Sequence, residues 1–140
     1  MKKPAWRKGT AAAAMLALLF ALGCGANSLP EGFSEDAVTA RAEEIVQYAS
    51  AGDYESVVSC LREDLAGALT ADQLEEAWSG TYERVGAVES VKSVSLSGTA
   101  DDSTGEEYAV AQVICRHEKG SVLYTLSFDA ELNLVGLYLK

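Results

Sequence analysis

His117 and Glu118 stand side by side, the pairing of an imidazole general base with a carboxylate that can orient it. His117 is the single histidine and falls at the end of an alternating stretch beside Lys119-Gly120, which predicts an exposed loop-edge residue. Asp101, Asp102, Glu106 and Glu107 are the acidic residues that could gather around a hard cation. They lack the alternating ligand spacing and central glycine of a calcium loop, so a solvated hairpin tip is expected. Cys60 and Cys115 form no C-x-x-C element, and one histidine is too few for a structural zinc site. Both lie among apolar residues, where a thiol packs as a small hydrophobe, and a disulfide between them is permitted in an exported chain without being implied. No G-x-S-x-G nucleophile element occurs. No catalytic residue, metal or cofactor is therefore assigned.

Cys24 suggests another chemistry, covalent attachment of lipid. Lys2, Lys3, Arg7 and Lys8 form a positive stretch, followed by an apolar run from Ala11 to Leu22 and then Gly23-Cys24. That run is short of the roughly 18 apolar residues that span a bilayer. The pattern resembles a bacterial lipoprotein signal, in which the cysteine becomes the lipidated first residue. Ala21-x-Gly23 also suits an ordinary secretory signal peptidase. The resemblance implies a signal peptide over 1–23, a lipidated cysteine and tether over 24–32, and one domain over 33–140. It implies anchoring through Cys24 on the outer face of the bacterial cytoplasmic membrane, with two acyl chains sufficing for stable attachment. All 21 acidic residues follow Cys24, whereas four of the 11 basic ones precede it, leaving 7 − 21 = −14. A chain so acidic, with scattered Lys and Arg, offers no patch for phosphate backbones, and no nucleic-acid partner is expected.

The periodicity predicts three helices and then four strands. Ser34 is an N-cap, with Phe33 and Val38 placed as a hydrophobic staple, and Val38, Ala42, Ile45, Val46 and Ala49 make one apolar face before Gly52. Asp53 caps a second helix whose stripe runs through Tyr54, Val57, Val58, Leu61 and Leu65. Thr70-x-x-Gln73 is a capping box for a third, with Leu74, Ala77, Trp78, Tyr82 and Val85 buried and Glu75, Glu76 and Glu83 outward. Beyond Gly86 the pattern alternates. Strands are expected over 88–96, 107–117, 121–128 and 134–139, with a polar loop over 98–105 and a turn in which Asn133 accepts a positive φ. Short connections make the strands antiparallel neighbours. The expected class is α+β, with three N-terminal helices packed on one face of a curved four-stranded antiparallel sheet.

Several residues in this layout resemble a bacterial family, the domain of unknown function 3887, over roughly Phe33 to Lys140. The carriers are Ala51-Gly-Asp-Tyr54, Leu69-Thr-Ala-Asp-Gln-Leu74 with Trp78, Val85-Gly86 followed by Ser90-Val-Lys92, Glu118-Lys-Gly120, Phe128-Asp129 and Val135-Gly-Leu-Tyr138. Leu132-Asn133 stands where a Gly-containing turn would be expected. The family is similar to the nuclear transport factor 2-like cone, and the resemblance implies a sheet wrapped around helices with a pocket at the open end. Trp78, Tyr82 and Tyr124 are the polar-tipped residues that would line such a pocket, the other inward positions being apolar. The resulting expectation is a non-catalytic, lipid-anchored extracytoplasmic module that binds a partner protein or small ligand. The alternatives are a small pocket enzyme of isomerase or hydrolytic type and a structural envelope lipoprotein.

Alternation also predicts the sheet's second face. If Ala109, Ala111, Val113 and Cys115 meet the helices together with Val122, Tyr124, Leu126 and Phe128, then Tyr108, Val110, Gln112, Ile114 and Arg116 face away. So do Leu123, Thr125 and Ser127, joined by Leu134 and Tyr138. This half-apolar face is the candidate interface, through Tyr108, Val110, Ile114, Leu123 and Tyr138, for a second copy or a protein partner.

Overall fold

A computed structural model describes residues 28–140; Cys24, the leader over 1–23 and the first tether residues lie outside them. The Ser34 hydroxyl accepts the Ala37 N–H at 3.3 Å and opens α1, Glu35–Ser50, whose buried residues are the five predicted. Asp53 accepts the Ser56 N–H and hydroxyl at 3.2 and 2.6 Å and opens α2, Tyr54–Ser59.

The predicted second helix runs to Leu65, but α2 stops at Ser59. Leu61 instead bridges Leu134 in parallel, with the Arg62 N–H donating to Leu134 O at 2.9 Å and the Leu134 N–H to Cys60 O at 2.8 Å. Extended backbone thus finds across the chain the partners a further helical turn would have supplied. A 3-10 turn, Glu63–Leu65, follows. The capping box then forms in full, with the Gln73 N–H donating to Thr70 Oγ1 at 3.1 Å and the Thr70 N–H to Gln73 Oε1 at 3.0 Å. It opens α3, Ala71–Val85, which buries Leu74, Trp78 and Val85 and leaves Ala77 exposed, contrary to its predicted place on the stripe.

The described residues are mixed α+β, three α-helices followed by a four-stranded antiparallel sheet in the order β1-β2-β3-β4. The strands are β1 Val88–Ala100, β2 Glu107–His117, β3 Gly120–Phe128 and β4 Leu134–Leu139. β1 outruns its predicted end because Gly98, Thr99 and Ala100 pair with Ala109, Tyr108 and Glu107. The remaining hairpin turn is closed by Asp101, whose carboxylate accepts the Ser103 N–H at 2.8 Å.

Ala109, Ala111, Val113 and Cys115 are fully buried, and Val122, Tyr124, Leu126 and Phe128 nearly so, in one cluster with residues of all three helices. α1 contacts β1, β2 and β3. Leu134 is a correction. It was expected to share a face with Tyr138, but a register shift between Ser127 and Phe128 sets it opposite Phe128, where it is fully buried. A single extra residue reverses the face of everything before it.

The turn into β4 holds a second correction. Leu132, not Asn133, takes the positive φ, at 65°. Asn133 is held by its hydrogen bonds, with its N–H and Nδ2 donating to the Asp129 carboxylate at 2.8 and 3.2 Å. The Leu132 carbonyl accepts from Arg41 Nε on α1 at 3.3 Å. Among the described residues no helix is long and apolar enough to cross a membrane.

Candidate functional site

The alternation that buries Ala109 to Cys115 continues one step further than the exposed-edge reading of His117 assumed. His117 is 2% exposed, on the same face as Cys115, because β2 is paired through its last residue, with Val88 on one side and Gly120 on the other. The inward face is therefore not wholly apolar. α3 carries Trp78 and Tyr82 one turn apart over this end of the sheet, and β3 contributes Tyr124 from the buried set. The Trp78 ring meets Tyr124 edge-on, with centroids 6.1 Å apart, while His117 stacks on Tyr82 and Tyr124 at 5.8 and 6.3 Å. Trp78 and Tyr124 are buried and Tyr82 half-buried. The three predicted pocket residues are thus brought together, around a histidine that was not among them. Reading the period of 2 to the end of β2 would have found it.

The polar atoms form a chain. His117 Nδ1 lies 2.8 Å from Gly86 O, and a carbonyl only accepts, so the ring proton sits on Nδ1 when the imidazole is neutral. Nε2 is then an acceptor, and the Tyr124 hydroxyl donates to it at 3.3 Å. With the Tyr124 proton committed, the 2.9 Å contact to Tyr82 is made by the Tyr82 hydroxyl donating to Tyr124. Burial pushes the Tyr82 phenol up to about 12, and burial followed by the Tyr82 hydroxyl raises Tyr124 further. Both stay protonated at neutral pH. Their chemistry is hydrogen bonding, not nucleophilic attack.

Gly86 anchors this chain at the junction of α3 and β1. Its φ is 80°, and a Cβ there would run into the Glu118 carboxylate, which accepts the Ala87 N–H at 3.1 Å. Glu118 therefore orients the junction, not the imidazole beside it.

Cys60 and Cys115 are free and buried. The Cys60 thiol donates to Ser56 O at 3.3 Å, and burial raises both thiols, Cys115 to about 11. Neither is primed as a nucleophile. The four acidic residues do not converge: Asp101 closes its own turn, while Glu106 pairs with Arg62 at 2.8 Å and accepts from the Tyr108 hydroxyl at 2.8 Å. Among the described residues no cluster of histidine, cysteine and carboxylate side chains suits a metal ion.

On the other face, Ile114 and Tyr138 are exposed, at 36% and 42%, and Leu123 is half-buried. Tyr108 and Val110 point off that face by register yet are only 5% exposed. Tyr108 is drawn against Arg62 and Glu106 by its hydroxyl, and Val110 is flanked in register by Ser97 and Ser127 in the middle of the sheet. Ile114 and Leu123 are direct register partners, and Tyr138 sits one strand over opposite Thr125. An open groove of about 420 Å³ lies at the opposite end of β2 from His117, lined by Ser28, Pro30, Gly98, Asp102 and Glu107 among others. There the tether's last residues are seated on the domain, since a Cβ on Gly98 would meet Pro30 Cδ at 2.7 Å.

A family model described as Protein of unknown function (DUF3887) matches residues 42–137, which run from within α1 into β4. The chain belongs to this family. The DUF3887 match includes every member of the His117 cluster and ends before Leu139. A solved structure, the NMR structure of a protein from Ruminococcus gnavus ATCC 29149, is similar at 28% identity, covering 81% of this chain and 96% of that one with a TM-score of 0.72. No curated protein matches this DUF3887 chain.

Proposed function

We propose that this protein is a non-catalytic, extracytoplasmic binding module, held on the outer face of the bacterial cytoplasmic membrane by a lipid on Cys24, that docks a partner protein through the second face of its sheet. The observation that carries the reading is the placement of Ile114, Leu123 and Tyr138 on three adjacent strands of that face, with Ile114 and Leu123 paired in register. Exposed Ile114 and Tyr138 gathered about half-buried Leu123 form a dockable patch, whereas scattered apolar side chains need no explanation. Residues 28–140 carry a net charge of −14, which repels a second copy and favours a partner with basic groups around an apolar centre.

The internal cluster supports the non-catalytic reading. The His117 Nδ1–H and both phenol protons are already committed within the chain from Tyr82 to Gly86, and both cysteine thiols are raised by burial. In this reading the sheet forms the curved wall of a nuclear transport factor 2-like cone with the helices on its inner face. Trp78, Tyr82 and Tyr124 then fill the interior in place of lining a ligand pocket.

Two variants test the proposal. Cys24→Ala is expected to move the protein from the membrane fraction into the medium. Ile114→Lys is expected to abolish cross-links to the partner in intact cells while the protein stays folded and anchored. Equal membrane retention of Cys24→Ala would overturn the anchor, and cross-links unaffected by the lysine would overturn the docking face. Turnover on ester, phosphate or ketosteroid substrates that disappears in His117→Ala would replace the binding reading with the pocket-enzyme alternative.

A further inference from the structure

The cluster at the end of β2 has a directional property that a binding role for the opposite face does not use. Three contacts, of 2.8, 3.3 and 2.9 Å, link Gly86 O, His117, Tyr124 and Tyr82 in one line running from the α3–β1 junction to the hydroxyl of half-buried Tyr82. With neutral His117 every hydroxyl proton points inward: Tyr82 donates to Tyr124, and Tyr124 donates to Nε2.

We infer that His117, Tyr124 and Tyr82 form a proton-responsive relay, in which protonation of His117 reverses the hydrogen-bond chain and turns the Tyr82 hydroxyl outward as a donor. A proton arriving from solvent binds the Tyr82 oxygen, which releases its own proton to the Tyr124 oxygen. Tyr124 in turn releases its proton to His117 Nε2. One proton enters, each hydroxyl keeps one, and the imidazole becomes imidazolium with no displacement of heavy atoms. Nδ1–H keeps its bond to Gly86 O in both states. A buried histidine ordinarily resists charging because its new proton lacks an acceptor. Here Tyr124 becomes that acceptor and the unmatched donor moves to Tyr82, the half-buried member of the three.

The groups around His117 favour this assignment. From α3 it meets Tyr82, and from β3 Tyr124. Cys115 lies two residues back on the same face of β2, and Tyr54 on α2 interacts with both phenols. Burial raises all four of these groups, so each is neutral while a histidine titrates and the proton stays on the ring. The formal charges that adjoin it in the chain are Arg116, Glu118 and Lys119, all exposed, as are Glu83 and Arg84 on α3 and Glu89 on β1, which pairs with Arg116 at 3.5 Å. Glu118, bound to the Ala87 N–H, puts a carboxylate beside the same junction that holds Nδ1.

Because the chain has one histidine, the test is a single resonance. The full chain, isotope-labelled in detergent micelles, is titrated from about pH 8 to pH 5 by NMR, the range in which histidine changes charge. The expected result is an Nδ1–H tautomer at high pH, then a Tyr82 phenol carbon signal that moves with the same midpoint as the imidazole while the backbone amides remain dispersed. In Tyr124→Phe the imidazole, its new proton left without an acceptor, charges less readily than in the parent chain, and Tyr82 no longer follows it. If that variant does not fold, His117→Phe is expected to make the Tyr82 signal invariant over the same range. An Nε2–H tautomer at high pH, a histidine that charges only as the domain unfolds, or a Tyr82 response that persists in either variant would overturn the relay.

Discussion

Trp78 and Tyr82 sit one helical turn apart and divide the work at the cluster, Trp78 by filling space and Tyr82 by donating a proton. Trp78 is 7% exposed and packs edge-on against Tyr124, so Trp78→Ala is expected to cost about 3–5 kcal/mol in a denaturant titration. A change under about 1 kcal/mol would move it from the core to the surface. The tyrosines are separable by alkaline titration of tyrosinate absorbance. Tyr82 is expected to ionise near 12, and Tyr124 only as the fold is lost. The sign follows from linkage: a folded-state value above the unfolded one of about 10 means the unfolded chain releases its proton first. Tyr82's contribution is therefore complete below about pH 10 and is lost as pH rises towards 12. Early ionisation of all six tyrosines with the fold intact would contradict the buried hydrogen-bond chain.

The elements that present these side chains are held at their ends. Thr70→Ala removes one half of the α3 capping box and is expected to cost about 1 kcal/mol, read from the urea midpoint. Gly86→Ala is expected to cost more, about 1–3 kcal/mol, since it adds left-handed strain and a collision with Glu118 at the very residue whose carbonyl orients His117. At the other end of the sheet Asp129 accepts from the Glu131 and Asn133 N–H groups and lies 3.7 Å from Arg62. Asp129→Ala should loosen the turn into β4 and the bridge between Leu61 and Leu134 together, at about 2–3 kcal/mol, with faster amide exchange at Arg62 and Leu134 as the local signature.

For the molecule as a whole, the charge of −14 over residues 28–140 is the dominant long-range term. Only a few of these carboxylates are paired, notably those that Arg62 gathers from Asp64, Glu106 and Asp129. Screening the remainder should raise the thermal midpoint as salt increases from about 10 mM to physiological strength, where the Debye length falls from roughly 30 to 8 Å. An unchanged or lower midpoint would show that self-repulsion is not limiting. Ile114→Lys adds a positive charge to an acidic surface at an exposed position, and its stability should stay within about 0.5 kcal/mol of the parent. That neutrality makes it a clean probe of the proposed docking face.

The sequence alone determined features whose causes are local. A capping side-chain oxygen needs only the next three N–H groups, so Ser34, Asp53 and Thr70 located the helix starts. A period of 2 identified the buried sides of β2 and β3. Tertiary structure decided whatever depended on partners distant in the chain. The end of α2, the length of β1 and the reversal of Leu134 were each set by peptide groups pairing across the fold. The burial of His117 was half legible, since alternation placed its side chain inward. Its hydrogen bonds to Gly86 and Tyr124 span 31 and 7 residues, and only packing could bring those atoms within reach. Tyr108 and Val110 show the complementary limit: register gives a side chain its direction, whereas its exposure depends on what lies beside and above it.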